Sequence, residues 1–573
     1  MQIPLVAQTG PAGVGSSSSN KVWLDASSLT ALANGSMVST WTDRSGNSWN
    51  AYQNSSSRRP TYVTNQLNGY PVIRFDRTNG GQWLDITSIG IGAAMSNSST
   101  LFAVTKANSG GVNDDRGQWQ SVFGAVEAYS GILFQGFPTT THFYIDGWVG
   151  NPPANDLVVR SSITQGQWYI ATRLPKESAT TTTLSGFVNG INAGSRSSNL
   201  QLKNHNNLAR IGAPQASGTH QYLLNGDIAE IIFFNVNLSE AQRIIVENYL
   251  ASKYALTISN DHYSGDAIGF TRDVQGIGTT DGSSVKHSVA SNGKGILLSE
   301  INNTLNNPNE FLFAGHASPS NGIATTDLPP GEQSRWQRIW YIEKTGDIDA
   351  KLAFDFSQAG LSPDANLSNS LLNYKLLYRS TTSEIFSVVK TNNQALIPTL
   401  ENNDQLAFSL SNMQLQTGYY TIAYSPVLIW TGSVSNGWNV AGNWNLNRIP
   451  TVSDHVYVDA CTICPRLSNS VNIAALNLNP GSALDLQSNT LSVEGTTFLR
   501  ETRIQSQDGI VKTIDFGEIK NSFFAGALAL EKISGSDNSL YGGNTFSSDL
   551  KLLNSSESQL EVATQSNNII KSQ

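Results

Sequence analysis

The 573-residue sequence is poor in charged residues, which make up 14% of the chain, against roughly a quarter in an average protein. Serine, threonine, asparagine and glycine take their place, with 49 glycines alone. Long helices need alanine, leucine, glutamate and lysine, so this composition argues against a mainly helical protein. It favours many short strands joined by turns.

Several functional signatures are also missing. The net charge is −8 and no cluster of lysine and arginine stands out, which excludes a basic nucleic-acid groove. No apolar run approaches the roughly 20 residues that a membrane-spanning helix needs. The seven histidines form no HExxH group, and no nucleophile elbow or phosphate-binding loop is present. We therefore predict no catalytic residues of these classes.

Cysteine is almost absent. Cys461 and Cys464 in "DACTICPR" are the two cysteines of the chain. A single CxxC cannot supply the four ligands of a structural zinc site. The spacing leaves two interpretations, a local disulfide or two free thiols.

Strand and turn signals dominate what is present. Short apolar segments such as "YPVIRFD", "WYIATRL" and "AEIIFFN" alternate with turn residues, as in a sandwich or barrel. Asn189-Gly190 predicts a tight hairpin, because its turn needs two positive φ angles. One helix is predicted in "LSEAQRIIVENYLASKY", where Ser239 and Gln242 form a capping-box pattern.

The order of these segments predicts an all-β fold in four regions. A residual export signal and linker at 1–19 precede a sandwich at 20–257 and a second β-sandwich at 258–427. The region at 428–573 resembles a parallel β-helix, and we expect it to be truncated. The start "MQIPLVA" is typical of the last part of an apolar export signal. We therefore expect an exported protein, extracellular or on the cell surface, whose signal peptide is cut short at the first residue. The alternative is a disordered cytoplasmic tail.

The first sandwich resembles the laminin-G-like jellyroll modules of the concanavalin A-like lectin/glucanase superfamily. The match is carried by "WTDRSGNSWNAYQ" (41–53), "YPVIRFDRTNGGQWLDI" (70–86), "QWYIATRL…TLSGFVNGINAG" (167–194) and "ARIGAPQASGTHQYLLNGDIAEIIFFNVNLSEAQ" (209–242). The middle region is similar to an uncharacterised sandwich of secreted Bacteroidetes proteins, and "WTG…AGNWN…IPTVSDHVYV" is similar to the start of β-helical regions in surface proteins of those bacteria. The resemblance implies adhesion or carbohydrate recognition.

Asp227 and Glu230 in "LNGDIAEIIFFN" raise the alternative of a glycosidase. Paired carboxylates act on a glycosidic bond when they converge at roughly 5–9.5 Å. Residues three apart in a regular strand point to opposite faces, so Asp227 and Glu230 are predicted to face opposite ways. Either Ile231 and Phe233 or Ile232 and Phe234 would pack the core. Compared with the acidic strand of the superfamily's glycosidases, Asn225 replaces the first acid. We therefore predict structural acids and no catalytic pair.

A structural Ca²⁺ is the one cofactor that the sequence raises. Asp43, Asn47 and Asp227 lie where members of the resembled family hold such an ion, and hard cations prefer oxygen ligands of this kind. The alternative is that Asp43 and Asn47 build a tight turn.

The predicted ligand site is an aromatic strand. In "THFYIDGWVGNPP" strand alternation places Phe143 with Ile145, and Tyr144 with Asp146 and Trp148 on the other face. Aromatic rings stack on sugar rings and carboxylates bind the sugar hydroxyls, so the second set is the predicted binding face. The alternative is that these aromatic residues pack the core or fill a loop, since a sandwich of this size needs many of them. The leading hypothesis is a non-catalytic surface protein that binds glycans or other cell-surface components. The alternatives are a polysaccharide-degrading glycosidase and a purely structural stalk or filament.

Overall fold

The structure is a computed structural model. It describes residues 9–77, 81–87, 91–95, 98–108, 119–125, 131–137, 140–147, 149, 157–202, 208–213, 222–282, 285–329, 331–362, 367, 371–391, 394–534, 538–539, 542–556, 560–561 and 569–570. The fold is nearly all β, as predicted. The chain forms two compact units: Met1–Pro319 with Trp340–Ala359 and Ser409–Thr417, and Ser320–Ile339 with Gly360–Phe408 and Gly418–Gln573. The domain boundaries proposed above stay predictions.

The first part of the first unit is a sandwich of two antiparallel sheets. Its elements are β1 (Asn20–Asp25), β2 (Thr40–Trp41), β3 (Ala51–Tyr52), β4 (Thr61–Leu67), β5 (Tyr70–Phe75), β6 (Leu84–Ile86), α1 (Ile91–Met95), β7 (Thr100–Ala107), β8 (Trp119–Ala125), β9 (Gly131–Phe137), β10 (Thr140–Gly147), β11 (Leu157–Ile163), β12 (Tyr169–Glu177), β13 (Thr182–Val188), β14 (Ile191–Ser198), β15 (Ala209–Ile211), β16 (Gly226–Phe234) and α2 (Glu240–Tyr254). The first sheet has the order β14-β13-β12-β7-β16-β5-β4, with β1 also paired to β16. The second sheet has the order β11-β10-β9-β8-β15-β6-β3-β2. Apolar side chains from both sheets form one core between them.

Two local predictions in this sandwich are confirmed. Asn189 and Gly190 turn between β13 and β14 with φ angles of 49° and 75°. Helix α2 begins with the predicted capping box, in which the Ser239 hydroxyl accepts from the Gln242 backbone N–H and the Gln242 side chain accepts from the Ser239 backbone N–H. Both features follow from local backbone chemistry, which is why the sequence alone specifies them.

The middle of the chain contributes short antiparallel strands to each unit. Its strands are β17 (Arg272–Thr279), β18 (Val289–Ser291), β19 (Ile296–Glu300), β20 (Glu310–His316), β21 (Ile323–Ala324), β22 (Ser334–Trp336), β23 (Trp340–Thr345), β24 (Ala350–Asp355), β25 (Tyr374–Arg379), β26 (Ser387–Val388), β27 (Lys390–Thr391), β28 (Gln394–Ala395), β29 (Thr399–Glu401), β30 (Gln405–Leu410) and β31 (Gly418–Tyr424). In the first unit β20 pairs with β17 and β23, and β19 with β18 and β24. In the second unit β31 pairs with β22 and β25.

The second unit ends in the predicted parallel solenoid, with about five turns in the described part of the chain. Its strands are β32 (Val427–Ile429), β33 (His455–Val458), β34 (Val471–Ile473), β35 (Ala475–Leu478), β36 (Ala483–Asp485), β37 (Thr490–Arg500), β38 (Arg503–Gln505), β39 (Gly509–Lys520), β40 (Phe523–Ala525), β41 (Leu528–Lys532), β42 (Asn538–Ser539), β43 (Thr545–Phe546), β44 (Leu550–Asn554), β45 (Leu560–Glu561) and β46 (Ile569–Ile570). One face is the parallel sheet β32-β33-β35-β37-β39-β41-β44, and a second is β36-β38-β40-β43-β46. Cys461 and Cys464 form a disulfide at the first turns, the first of the two interpretations given above.

Acid is expected to destabilise both units through two buried histidines. Burial lowers the pKa of His287 and of His455 to about 4. The carbonyl of Gly13 faces His287, and Lys375 and Glu332 face His455. Each imidazole takes up a proton more readily in the unfolded chain, where its pKa is about 6.5, so the free energy of unfolding falls as the pH drops through this range.

Between pH 7.5 and 5 we expect a loss of about 2 kcal/mol for each histidine, because one pKa unit corresponds to about 1.4 kcal/mol. Thermal unfolding of the full chain over this range tests the expectation. His287→Gln and His455→Gln should each flatten the dependence, and His142→Gln on the second sheet is the control. A wild-type unfolding temperature that does not change over this range would contradict the prediction.

Candidate functional site

The acidic pair lies in β16, where a β-bulge changes the expected geometry. Asp227 is paired with Lys106 of β7 and Glu230 with Val104, so Ala229 is an extra residue in β16. Lys106 and Val104 are two apart on β7 and therefore share a face. The two acids thus lie on the same outer face of the first sheet. The prediction that they point to opposite faces was wrong, because it assumed a regular strand.

The same register decides which apolar residues of β16 pack the core. Ile231 and Phe233 lie in the core between the two sheets. Ile232 and Phe234 are also buried, but they lie on the outer face with the acids, where the ring of Phe234 packs edge-on against Phe102. The first of the two predicted pairs is therefore the core pair.

Glu230 joins helix α2 to the first sheet. Its carboxylate accepts from the indole N–H of Trp23 (2.6 Å), the hydroxyls of Tyr249 (2.9 Å) and Tyr254 (2.8 Å), and the ammonium of Lys253 (2.7 Å). Burial, followed by the charge of Glu230, raises the pKa of both tyrosines well above the ordinary value. Four donors around one buried carboxylate leave it no free site for a substrate proton.

Asp227 is enclosed in a similar way by cations of the neighbouring strands. Arg74 binds both carboxylate oxygens at 2.7 and 2.9 Å, and Lys106 binds one at 3.1 Å. Burial opposes ionisation, but these two cations outweigh it, so the pKa of Asp227 lies below its ordinary value. A general acid or base must reach the substrate within hydrogen-bond distance. Asp227 and Glu230 are 0% and 1% exposed, and their contacts hold strands and helix together.

The residues considered for Ca²⁺ make hydrogen bonds within the chain. Asp43 accepts from the backbone N–H of Trp23, Ser45 and Trp49, each at 2.9 Å. Asn47 donates to the carbonyl of Asn20 at 2.8 Å. Within the described ranges, no group of three or more His, Cys, Asp and Glu side chains is placed to hold a metal ion. Asp227 already has two cations beside it. These contacts favour the tight turn, and the Ca²⁺ site stays a prediction.

The predicted ligand strand is β10 of the second sheet. Phe143 and Ile145 are fully buried in the sandwich and Tyr144 is half-buried on the other face, as alternation requires. Asp146 is 2% exposed, and its backbone carbonyl accepts from the buried guanidinium of Arg173 at 2.7 Å. Trp148 lies outside the described residues. Of the predicted ligand residues within the described part, Tyr144 is the one whose side chain reaches the surface.

Tyr144 belongs to a group of aromatic and arginine side chains on the outer side of the second sheet. We call this group the aromatic–arginine face; its members are Trp83, Trp119, Tyr144, Tyr222, Arg58, Arg160, Arg210 and Asp85. Trp119 packs edge-on against Tyr144 with ring centroids 4.3 Å apart, and Tyr222 packs against Trp119 at 6.3 Å. The exposed guanidinium of Arg160, opposite Tyr144 in the sheet, lies 5.2 Å from its ring.

The other half of this face is built around Trp83. Arg58 and Arg210 lie 5.1 and 5.2 Å from its ring. Arg210 is bound to Asp85 through its Nε at 2.5 Å. Because Asp85 is neutralised by Arg210, the charge of Arg58 and Arg160 makes the face positive, although the chain as a whole carries a net charge of −8.

Sequence reasoning missed most of this face. Trp119 and Arg160 lie on strands β8 and β11, and strand alternation could have placed them outward. Tyr222 and Arg58 lie in turns, where no periodicity applies. Trp119, Tyr144 and Arg160 come together on the successive strands β8 to β11, whereas Arg210 reaches Asp85 and Trp83 because β15 pairs with β6, although the two strands are distant in the chain.

Fold and face together define an all-β protein with an antiparallel β-sandwich and a parallel β-solenoid. Residues 242–418 match a family described as a domain of unknown function, DUF8202. No curated protein matches the chain. In the described part of the chain, no helix has the length and apolar character needed to cross a membrane.

Solved structures with some similarity include binding modules. Domain 4 of AbnA, an extracellular GH43 arabinanase from Geobacillus stearothermophilus in complex with arabinotriose, is 12% identical over 40% of this chain and 97% of that chain, with a TM-score of 0.27. The botulinum neurotoxin serotype D binding domain is 10% identical over 71% of this chain and 92% of that chain, with a TM-score of 0.28. At these TM-scores the similarities carry no argument about function.

Proposed function

We propose that the protein is a non-catalytic, secreted or cell-surface protein that recognises carbohydrate through the aromatic–arginine face of its first sandwich. The observation that carries the proposal is the cluster of Trp119, Tyr144 and Arg160 on the outer side of the second sheet. Aromatic rings offer apolar surfaces to sugar C–H groups, and guanidinium N–H groups bind hydroxyl or carboxylate oxygens. The solenoid would act as a spacer.

The acidic strand supports a binding role over hydrolysis. Asp227 and Glu230 lie on the opposite sheet from this face, and their oxygens are held by Arg74, Lys106 and Lys253. The disulfide between Cys461 and Cys464 supports an oxidising compartment, where such bonds persist. A protein that adheres to surface glycans would bind them without hydrolysis and would work in such an oxidising compartment.

Alanine at Tyr144 or Trp119 is expected to weaken glycan binding at least about tenfold, because aromatic anchors of this kind contribute most of the energy of a binding face. The measurement is a glycan array with the full chain, followed by titration of the best ligand. Arg160→Gln should weaken the binding of ligands that carry carboxylate or sulfate more than the binding of uncharged ligands. Added salt should also weaken the binding of the charged ligands more.

Tyr144→Phe is the matched control, since it keeps the ring and removes only the hydroxyl. Thermal unfolding of each variant shows whether the sandwich remains folded. Unchanged affinity in both alanine variants would exclude this face as the binding site. Release of reducing sugar ends by the wild-type chain would favour the glycosidase alternative.

A further inference from the structure

A cavity of about 370 Å³ lies in the second unit. One wall is the parallel sheet of the first solenoid turns, and the other is the segment around β25 to β28. Its volume falls within the range of small-ligand sites. The aromatic–arginine face belongs to the first unit, so this cavity is a separate feature of the molecule.

The solenoid wall presents polar side chains that the protein leaves unused. Tyr457, Asn477 and Thr496 line the cavity, and among the described residues none of their side chains has a hydrogen-bond partner. Asn477 is only 8% exposed. Polar groups that face an open cavity without a protein partner take their hydrogen bonds from water or from a ligand. These groups therefore suit a ligand that brings its own donors and acceptors.

The charges around the cavity are already paired. Glu332 binds Lys375 at 2.8 Å and accepts from the Ser425 hydroxyl at 2.7 Å. Beside them, burial and the charge of Lys375 lower the pKa of His455 to about 4, so its imidazole is neutral at physiological pH.

The charged groups at the outer end of the solenoid wall have partners as well. Arg500 is bound to Glu518 at 2.6 Å, and Asp459 accepts from the Asn479 amide at 2.7 Å. A charged ligand would have to compete with these contacts, whereas an uncharged one would leave them intact.

The side chains of the solenoid wall are regularly spaced. Tyr457, Asn477 and Phe498 occupy equivalent positions on β33, β35 and β37, so successive side chains are about 4.8 Å apart. Leu372 and Ile397 face them from the other wall. A pyranose ring has apolar C–H faces and a polar hydroxyl edge, and a sugar unit is about as long as one strand spacing. The wall offers a matching sequence of ring, amide and ring.

We propose that this cavity is a second binding site, which takes an uncharged sugar unit of a glycan, with Asn477 and the Tyr457 hydroxyl bonding its hydroxyl groups. The site does not depend on the aromatic–arginine face, and the two sites can be tested apart.

The test measures binding of uncharged sugars to the full chain by ligand-observed NMR and then by titration. The sugars are glucose, galactose, mannose, N-acetylglucosamine and their dimers. Asn477→Leu is expected to weaken binding at least about tenfold. It should leave the unfolding temperature nearly unchanged, because the Asn477 amide has no hydrogen bond within the described part of the protein to lose. Tyr457→Phe should weaken binding by a smaller factor.

Asn472→Leu is the matched control, an exposed asparagine on the neighbouring strand β34, and it should bind like the wild type. Tyr144→Ala should also leave this binding unchanged. Failure of every uncharged sugar to bind, or equal binding by Asn477→Leu, would overturn the second site and show a water-filled cleft. Loss of binding in Tyr144→Ala alone would place recognition at the aromatic–arginine face and leave the proposed function standing.

Discussion

Lys253→Ala is expected to lower the free energy of unfolding of the first sandwich by about 3–5 kcal/mol, the usual cost of removing one partner from a buried ion pair. The Lys253 ammonium bridges Asp25 at 2.8 Å and Glu230 at 2.7 Å, and all three side chains are buried. Without it, two carboxylates of the first sheet face one another in a site that water does not reach.

The pH dependence of the variant distinguishes this cause from lost packing. Burial opposes ionisation of Asp25, but Lys253 and Arg44 together lower its pKa to about 2. Removal of Lys253 should raise this pKa, and a raised folded-state pKa makes the variant relatively more stable as the pH falls. The wild type loses its stabilisation by ionised Asp25 as the pH falls from about 4, the ordinary pKa of an aspartate, toward 2, so the difference between the variant and the wild type should shrink over that range.

Chemical denaturation, with hydrogen exchange of helix α2, measures the effect within this part of the chain. Glu240→Ala is the control on the same helix: its side chain is 65% exposed, and its pairing with Arg243 is expected to contribute less than about 1 kcal/mol. The double variant Glu230→Gln with Lys253→Met removes both partners and should recover part of the loss. A loss below about 1 kcal/mol in Lys253→Ala would contradict the assigned role.

Trp438→Ala is expected to destabilise the start of the solenoid by about 3–5 kcal/mol. Trp438 is fully buried in the solenoid core. Its ring packs edge-on against Trp444 with centroids 4.9 Å apart, and Trp444 packs in the same way against Trp430 at 5.0 Å. Alanine would leave a cavity beneath the first turn, which the surrounding rings cannot fill.

Near-UV circular dichroism and hydrogen exchange of β32 and β33 report on this region. Trp438→Phe is the matched control, because it keeps a ring and removes an indole N–H that has no hydrogen-bond partner in the described part of the chain. Trp438→Phe should lower the free energy of unfolding clearly less than Trp438→Ala does. Since Ile429 and Tyr457 line the cavity of the second unit, Trp438→Ala should also weaken uncharged sugar binding there. Equal stability of both variants would show that the three-ring cluster does not support the turn.

Local and periodic features could be predicted from the residues alone. The composition and turn residues predicted an all-β chain, and alternation placed Phe143 and Ile145 in the core with Tyr144 outside. The capping box at Ser239 and the hairpin at Asn189 follow from the chemistry of neighbouring residues. The solenoid was predictable because its turns repeat short strands, each of which needs only its neighbours.

Features that depend on residues far apart in the chain could be seen only in the folded structure. The bulge at Ala229 turns Glu230 toward helix α2, and no period within one strand could reveal it. Lys375 and His455 are 80 residues apart in the chain, yet their side-chain nitrogens are 3.4 Å apart beside the cavity. Arg210 and Asp85 meet because β15 pairs with β6, which is more than 120 residues earlier in the chain. Local patterns fix which face a side chain takes, whereas sites form from residues that only the folded chain brings together.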